Sequence, residues 1–590
     1  MTSENKICQN CKQQFTIEPE DFNFYEKMKV PAPTWCPECR FVRRFLWRNE
    51  RSLYRRKCDL CHKDILSAYD PRESWNVYCY TCWWGDGWDP LAYGKEYDFK
   101  KPFFEQFIDL LHRVPITNLW GFDNVNCEYA NHIGHSKNCY FSFSIVRCED
   151  IYYSTSMDRS LNCVDCDLLN DSQFCYENVN GGKNYESVFL ANSRECVNSA
   201  FLYDCANCQQ CFMSNNLRNK QFVFRNQQLS REEYLARVQE INIGSFKTLK
   251  QLEDEFLELK QHALRKYGNI LKCNNVSGDD LVACKNAKVC FKVQQSEDLK
   301  YCWRIVSALK DAYDISGALS SELVYEGSVA ANFNYGVKFY SQFHTSKDSE
   351  YCIYGSSASN LFGCVGVRSK QYCILNKQYT EQEYKELVPK IIPHMNEMPF
   401  RGFGGRTYGY GEFFPVEFSP FAYNETVAQE YFPLTREETA AQGYRWKEPL
   451  EHRYAVTAEP DKLPDHINDV ADKILDEIVG CAHAGACNDQ CTTAFRIVPQ
   501  ELQFYRKMKL PLPRLCPNCR HYARARERNP LRLWHRKCTC AGAKSDNNVY
   551  TNTISHFHGA DHCPNEFETS YAPERPEIVY CENCYNSEVV

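Results

Sequence analysis

Apolar positions in the middle of the chain follow two different periods. In "TLKQLEDEFLELKQHALRKYG" (248–268), Leu249, Leu252, Phe256, Leu259 and Leu264 recur at helical spacing, which predicts an amphipathic helix closed by Gly268. In "DHINDVADKILDEIVG" (465–480), Ile467, Val470, Ala471, Ile474, Leu475 and Ile478 predict a second helix, with Asp465 as cap and Gly480 as stop. Between about 120 and 230 the texture changes to short strand-like runs such as "NCYFSFSIVRCEDIYYSTS", broken by Asn, Asp and Ser.

Cys recurs through that stretch at 127, 139, 148, 163, 175, 196, 205, 208 and 211, a step too loose for paired metal ligands. Small inward residues and Asn or Asp at turns suit stacked parallel coils, so these thiols read as packing groups. Cys163/Cys166 and the Cys205/Cys208/Cys211 run are the exceptions to watch. "NKQFVFRNQQLSREEY" (219–234) matches "SKQYCILNKQYTEQEY" (369–384) in register, and Ser230/Glu233 and Thr380/Glu383 both form a capping-box pattern at a helix start. The fold expected is multidomain and mainly β: a parallel β-helix-like solenoid with capping helices, flanked by duplicated zinc modules. Its segments are 106–270 and 271–400, followed by an ordered Gly- and aromatic-rich connector over 401–464.

The two ends of the chain repeat each other. "FYEKMKVPAPTWCPECRFVRR" (24–44) returns as "FYRKMKLPLPRLCPNCRHYAR" (504–524). In the first copy (1–105), Cys8/Cys11 with Cys36/Cys39 and Cys58/Cys61 with Cys79/Cys82 form two four-thiolate sets. CxxC pairs at this spacing suit tetrahedral Zn²⁺. In the second copy (465–590, including the helix predicted above), the corresponding sets are Cys487/Cys491 with Cys516/Cys519 and Cys538/Cys540 with Cys581/Cys584. About four structural zinc ions are therefore expected. "HFHGADHC" (556–563) offers His556, His558, His562 and Cys563 for a fifth site, with Cys481 or His483 as further ligands, or else is a polar loop. Extended Val30–Pro33 followed by a helix opening at Pro37 gives a knuckle, an arm and a ligand-bearing helix, the treble-clef order.

The pattern CxxC…FYxKxxxPxPxxCPxCRxxRR resembles bacterial treble-clef zinc-binding domains over about 40 residues at each end. The order of the whole chain resembles large Cys-rich proteins of uncultivated small-genome bacteria. Those resemblances imply zinc and a fold, and no activity.

The chain has 590 residues, 35 Cys and a formal net charge of −7, which argues against a uniformly basic nucleic-acid binder. No apolar run approaches a membrane span, and "MTSENKICQN" shows no export signal, so a cytoplasmic, reducing environment is expected, with no membrane partner. Arg40, Arg44 and Arg48 align with Arg520, Arg524 and Arg528; spacing of four sets each row along one helix face, where it offers an anionic partner such as nucleic acid a row of contacts or is simply solvated. No P-loop, GxSxG, HExxH or dinucleotide fingerprint occurs, and a closed four-thiolate site leaves no position for catalysis. The leading expectation is a non-enzymatic binding or scaffold protein whose partner is a protein or a nucleic acid. A nucleic-acid binder using the Arg helices, and a β-helix carbohydrate enzyme or thiol oxidoreductase, are the alternatives.

Overall fold

The computed structural model describes residues 2–448 and 454–590. It is strand-rich, with an 11-stranded and a 13-stranded sheet as its main elements and several two-stranded pairs around them. In the first sheet Lys137 pairs in parallel with Glu149, Glu149 with Leu161, Leu161 with Gln173, and Gln173 with Tyr185. Each step is twelve residues. The second sheet keeps the same step from Gly278 to Cys290 and from Phe291 to Trp303, lengthens to thirteen from Trp303 to Ser316 and Ile305 to Ala318, and returns to twelve at Ser307–Leu319 where the register shifts between Ile305 and Ser307.

The backbone explains the twelve. From Asp123 to Arg225 every third residue has φ between about 45° and 61°, so four left-handed turns separate each residue from its ladder partner. For most residue types this conformation costs about 1–2 kcal/mol, and Asn and Asp bear it best. The turns at 126, 138, 162, 180, 192, 198, 207, 216 and 219 are Asn, and their amides stack: Asn126 donates to Asn138 at 2.9 Å and Asn138 to Asp150 at 3.0 Å.

The residue after each turn points inward. Cys127, Cys139, Cys148, Cys163, Cys166, Cys175, Cys196, Cys205, Cys208 and Cys211 all take this place, and all but the half-buried Cys127 are buried. Inward hydroxyls solve the polar problem of such a narrow core. Ser154 Oγ donates to its own strand at Tyr152 O (2.9 Å) and accepts the Cys166 N–H of the next twelve-residue step (3.0 Å). Ser142 and Ser160 make the same pair of bonds. Each buried hydroxyl is thus used twice, and no backbone donor beside it is orphaned.

Both sheets end in an antiparallel turn followed by a helix. Val223–Phe224 pairs back on Gln227–Gln228 before Arg231–Gln239, and Gln371–Ile374 on Lys377–Gln378 before Glu381–Glu397. The reciprocal caps are present in both: Ser230 N donates to Glu233 Oε2 at 2.9 Å and Thr380 N to Glu383 Oε2 at 2.8 Å. Leu249, Leu252, Phe256 and Leu259 lie on the helix Phe246–His262, which ends six residues before Gly268, whereas Leu264 opens the strand Leu264–Lys266 paired with Ile578–Tyr580.

The helix expected over 465–480 does not form. Its place is taken by two 3-10 turns, Ile467–Asp469 and Asp472–Asp476, which bury Ile467, Val470 and Ile474 against the same core cluster as the C-terminal thiols. Asp465 caps another element instead: its carboxylate accepts from Ser245 Oγ at 2.6 Å and Lys247 N at 3.0 Å, at the start of Phe246–His262. A stripe at i, i+3, i+4 can be buried by successive tight turns as well as by a helix, and here a distant capping partner decided between them. The aromatic stretch 408–423 is core: Tyr408, Phe413, Phe414, Phe418, Phe421 and Tyr423 belong to the cluster that includes Trp35, Phe45 and Trp47.

Candidate metal centres and the arginine rows

Four groups of four thiols gather their sulfurs within 4.8 Å of one another: Cys8/Cys11/Cys36/Cys39, Cys58/Cys61/Cys79/Cys82, Cys481/Cys491/Cys516/Cys519 and Cys538/Cys563/Cys581/Cys584. A metal–sulfur bond of about 2.3 Å implies tetrahedron edges near 3.8 Å. The observed separations fit: Cys11–Cys36 3.7 Å, Cys61–Cys79 3.9 Å, Cys481–Cys519 3.9 Å and Cys563–Cys581 3.8 Å.

One local design builds all four. A short antiparallel hairpin ends one residue before the first Cys and resumes three residues after the second: Glu4–Ile7 with Gln14–Ile17, Tyr54–Lys57 with Asp64–Ser67, Val479–Gly480 with Ala494–Phe495, and Trp534–Lys537 with Glu566–Thr569. The second pair opens a helix, at Pro37–Phe45, Tyr80–Trp84, Pro517–Ala525 and Glu582–Val589. In each case the third Cys donates its N–H to the first Cys sulfur at 3.2 Å.

This geometry corrects two ligand assignments. Cys481, not Cys487, occupies the first knuckle position of the third group, and Cys487 is a fifth thiol 3.6 Å from Cys519. Cys563, not Cys540, completes the fourth group. The reason is the same in both: the hairpin fixes the ligand positions, and insertions between them lengthen the loop without moving its ends. Of the expected histidine cluster, His556 and His558 face Cys540 and Cys584, whereas His562 turns to Asp546 at 2.8 Å.

The thiols inside each group are electrostatically unequal. In the first group, the hydrogen bonds with Cys36 pull Cys8 down and push Cys39 up. In the third, those with Cys481 pull Cys516 down and push Cys519 up. In the second, burial pushes Cys58 up but backbone N–H donors from Cys61 and Cys79 outweigh it, leaving it at about 7, while burial takes Cys82 up to about 12. In the fourth, the bond with Cys538 holds Cys581 at about 4 and burial raises Cys584. Four thiolates so close cannot all ionise without a cation between them.

The arginine rows are internal. Arg40 pairs with Asp314 at 3.0 Å, Arg43 with Glu326 at 2.7 Å and Glu412 at 2.6 Å, and Arg44 with Asp314 at 2.8 Å, all side chains being nearly or fully buried. Arg48 pairs with Glu50 at 2.6 Å. In the second copy Arg520 pairs with Asp165, Arg524 with Asp165 at 3.0 Å and Glu177 at 2.8 Å, and Arg528 with Asp167 at 2.5 Å. The expectation that these rows meet phosphate is therefore corrected. Arg40 and Arg44 are consumed by Asp314, and Arg520, Arg524 and Arg528 by Asp165 and Asp167, all in the strand ladders, with Asp314 and Asp165 standing at left-handed turns; Arg48 is held by its near neighbour Glu50. The first copy's helix docks on the second sheet, and the second copy's on the first. Apart from Glu50, two residues from Arg48, these carboxylate partners lie more than 100 residues from their arginines, so no local sequence pattern announces them.

No protein-family model matches this chain, and no curated protein matches it. Among solved structures, an acetyltransferase assignment from Desulfovibrio desulfuricans G20 aligns over 43% of this chain and 68% of its own, at 9% identity and a TM-score of 0.09, a value too small to carry a shared fold. No helix among the described residues is long and apolar enough to cross a membrane.

Proposed function

We propose that this is a zinc-stabilised binding or scaffold protein of the cytoplasm, in which the two twelve-residue ladders are parallel β-helical solenoids and the four thiol groups are treble-clef and zinc-ribbon modules clamped onto them. The observation that carries this reading is the use of the arginine helices. Closed sets of four thiolates leave no open coordination position, and the Arg rows beside them are committed to Asp314, Glu326, Asp165 and Asp167. The metal modules then act as staples, and the outward rows of the ladders are what remains for recognition. Stacked side chains twelve residues apart, such as Lys137 over Glu149 at 2.7 Å and Lys183 over Glu195 at 3.2 Å, present a repeated polar surface suited to an extended partner.

The test is partner capture from the native host with the intact chain, repeated with an outward-row variant, Lys137→Ala/Glu149→Ala. The reading expects the variant to keep its metal and melting temperature while losing a partner. Capture that is indifferent to substitutions along every outward row, or substrate turnover by the purified chain, would overturn it.

A further inference from the structure

The fourth thiol group has a neighbour. In the N-terminal copy the corresponding knuckle is Cys58-x-x-Cys61, whereas in the C-terminal copy its two cysteines, Cys538 and Cys563, stand 25 positions apart in the sequence. The insert between them carries Cys540, Asn552, His556 and His558. Cys540, His556 and His558 converge with Cys584 so that the four ligand atoms lie within 4.8 Å of one another. Cys584 therefore belongs to both groups.

The insert is organised as ligands are. His556 is buried, its Nε2 lying 2.9 Å from Glu588 Oε1 and its Nδ1 3.2 Å from Cys540 Sγ. The Glu588 carboxylate also accepts from Tyr550 Oη at 2.8 Å and from the Thr553 N–H at 2.9 Å, so it is an acceptor throughout, and His556 must donate from Nε2. That leaves the Nδ1 lone pair aimed at the cluster. His558 is fixed in the complementary way: Nδ1 donates to Asp561 O at 2.7 Å, and Nε2 points to Cys584 Sγ at 3.3 Å. Asn552 Nδ2 donates to Cys540 Sγ at 3.2 Å, while its Oδ1 accepts from Tyr580 Oη at 2.8 Å. Histidines whose far nitrogens are held by a carboxylate or a carbonyl are the usual support of a metal ligand.

We infer that the C-terminal module holds two divalent cations of the zinc type, one in Cys538/Cys563/Cys581/Cys584 and one in Cys540/His556/His558/Cys584, bridged by the Cys584 thiolate. This rests on the metal-staple reading above and extends it by one ion. Charge favours the sharing. Five thiolates and two neutral imidazoles around two dications carry a net −1, less than the −2 of a lone tetrathiolate, which suits a centre whose cysteines are all buried. Both ions are coordinatively filled, so the pair is structural: it pins an insert that the hairpin alone would leave as a long loop.

The experiment is metal counting on the intact chain, purified anaerobically after expression with zinc. Five ions per chain are expected, falling to four in His556→Ala/His558→Ala and in Cys540→Ala. A wild type with four ions, unchanged in those variants, overturns the shared centre and leaves the staple reading standing. Five ions that persist in the variants also overturn it, because the fifth ion then lies elsewhere. Fewer than four ions would refute the staple reading itself. Should the variants fail to fold, zinc-edge anomalous scattering from wild-type crystals decides alone: two adjacent peaks flanking Cys584 Sγ support the inference, and a single peak there rejects it.

Discussion

Arg44 Nη1 lies 2.8 Å from Asp314 Oδ1 with both side chains fully buried, and the same carboxylate receives Arg40. A helix that also carries Cys36 and Cys39 of the first thiol group is thereby locked onto the second strand ladder by charge. Removing one partner leaves the other charged and dry, which typically costs about 3–5 kcal/mol, whereas an apolar replacement of both can be neutral. Asp314→Ala should therefore lower the melting temperature sharply without removing metal. Because Asp314 also receives Arg40, the rescue must remove all three charges: Arg40→Met/Arg44→Met/Asp314→Leu should recover part of that loss in the same thermal scan, the left-handed turn at 314 keeping the recovery incomplete. The wild type should show no binding to random RNA or DNA at about 50 mM salt, where phosphate contacts are strongest; tight, salt-sensitive binding there would contradict the internal role of the rows.

The knuckle geometry separates two cysteines that look equivalent in sequence. Cys481 receives the Cys516 N–H and sits where the hairpin closes, while Cys487 lies in the loop beyond it. Cys481→Ser should cost one metal ion per chain or weaken its retention against a chelator, and Cys487→Ser should leave the count unchanged. Equal losses would show that the fifth thiol is a true ligand.

The ladder interior should be more sensitive to hydroxyls than to thiols. Ser154→Ala strands the Cys166 N–H, at about 1–3 kcal/mol for an unsatisfied buried donor. Cys175 packs inward with its Sγ as a donor to Gln173 O at 3.6 Å, and Cys175→Ala should cost on the order of 1 kcal/mol with no change in metal content. Chemical denaturation of the two variants reads the difference directly.

How far the sequence discloses this structure depends on the range of the interaction. The two N-terminal knuckles, the capping boxes and the helix Pro37–Phe45 are local, and spacing and turn chemistry identify them. The twelve-residue step was also present in the residues: all ten cysteines from 127 to 211 are separated by multiples of three, because the residue after each left-handed turn faces inward. Read as a sequence of gaps they look irregular; read modulo three they are one face. The arginine partners and the cap supplied by Asp465 are long-range, and neither periodicity nor composition encodes them. The displaced ligands Cys481 and Cys563 fall between these cases, since an insertion hides a pairing that the hairpin preserves.

His132 supplies a pH signature. Burial, reinforced by the nearby Arg48 charge, lowers its imidazole to about 3, and its Nε2 faces Asn49 O at 3.2 Å. The folded value lies below the ordinary value near 6.5, so the folded protein holds this ring neutral. Its contribution is fully present above about pH 6.5 and is lost as pH falls toward 3. Between pH 6.5 and 5.5, where thiolate sites are least disturbed, the wild type should lose up to about 1.4 kcal/mol per pH unit more than His132→Gln. Parallel pH profiles for the two proteins would show that the ring is not buried neutral.

The left-handed turns make the last prediction. Ser156 has φ 61° and is half-buried, and its backbone N–H donates to Phe143 O, so the ladder holds this conformation whatever the side chain. An L-residue there bears about 1–2 kcal/mol of local strain, which glycine escapes, although glycine loses roughly 0.5–1 kcal/mol more conformational entropy on folding. The two effects nearly balance, so Ser156→Gly should be neutral to slightly stabilising. Ser156→Val gains no such relief and adds a branched side chain that fits left-handed backbone poorly, so it should be destabilising by about 1–2 kcal/mol beyond the serine. The ordering glycine ≥ serine > valine in denaturant midpoint, with unchanged slope, is the expected result. Valine equal to serine would mean that this position is not held left-handed in solution.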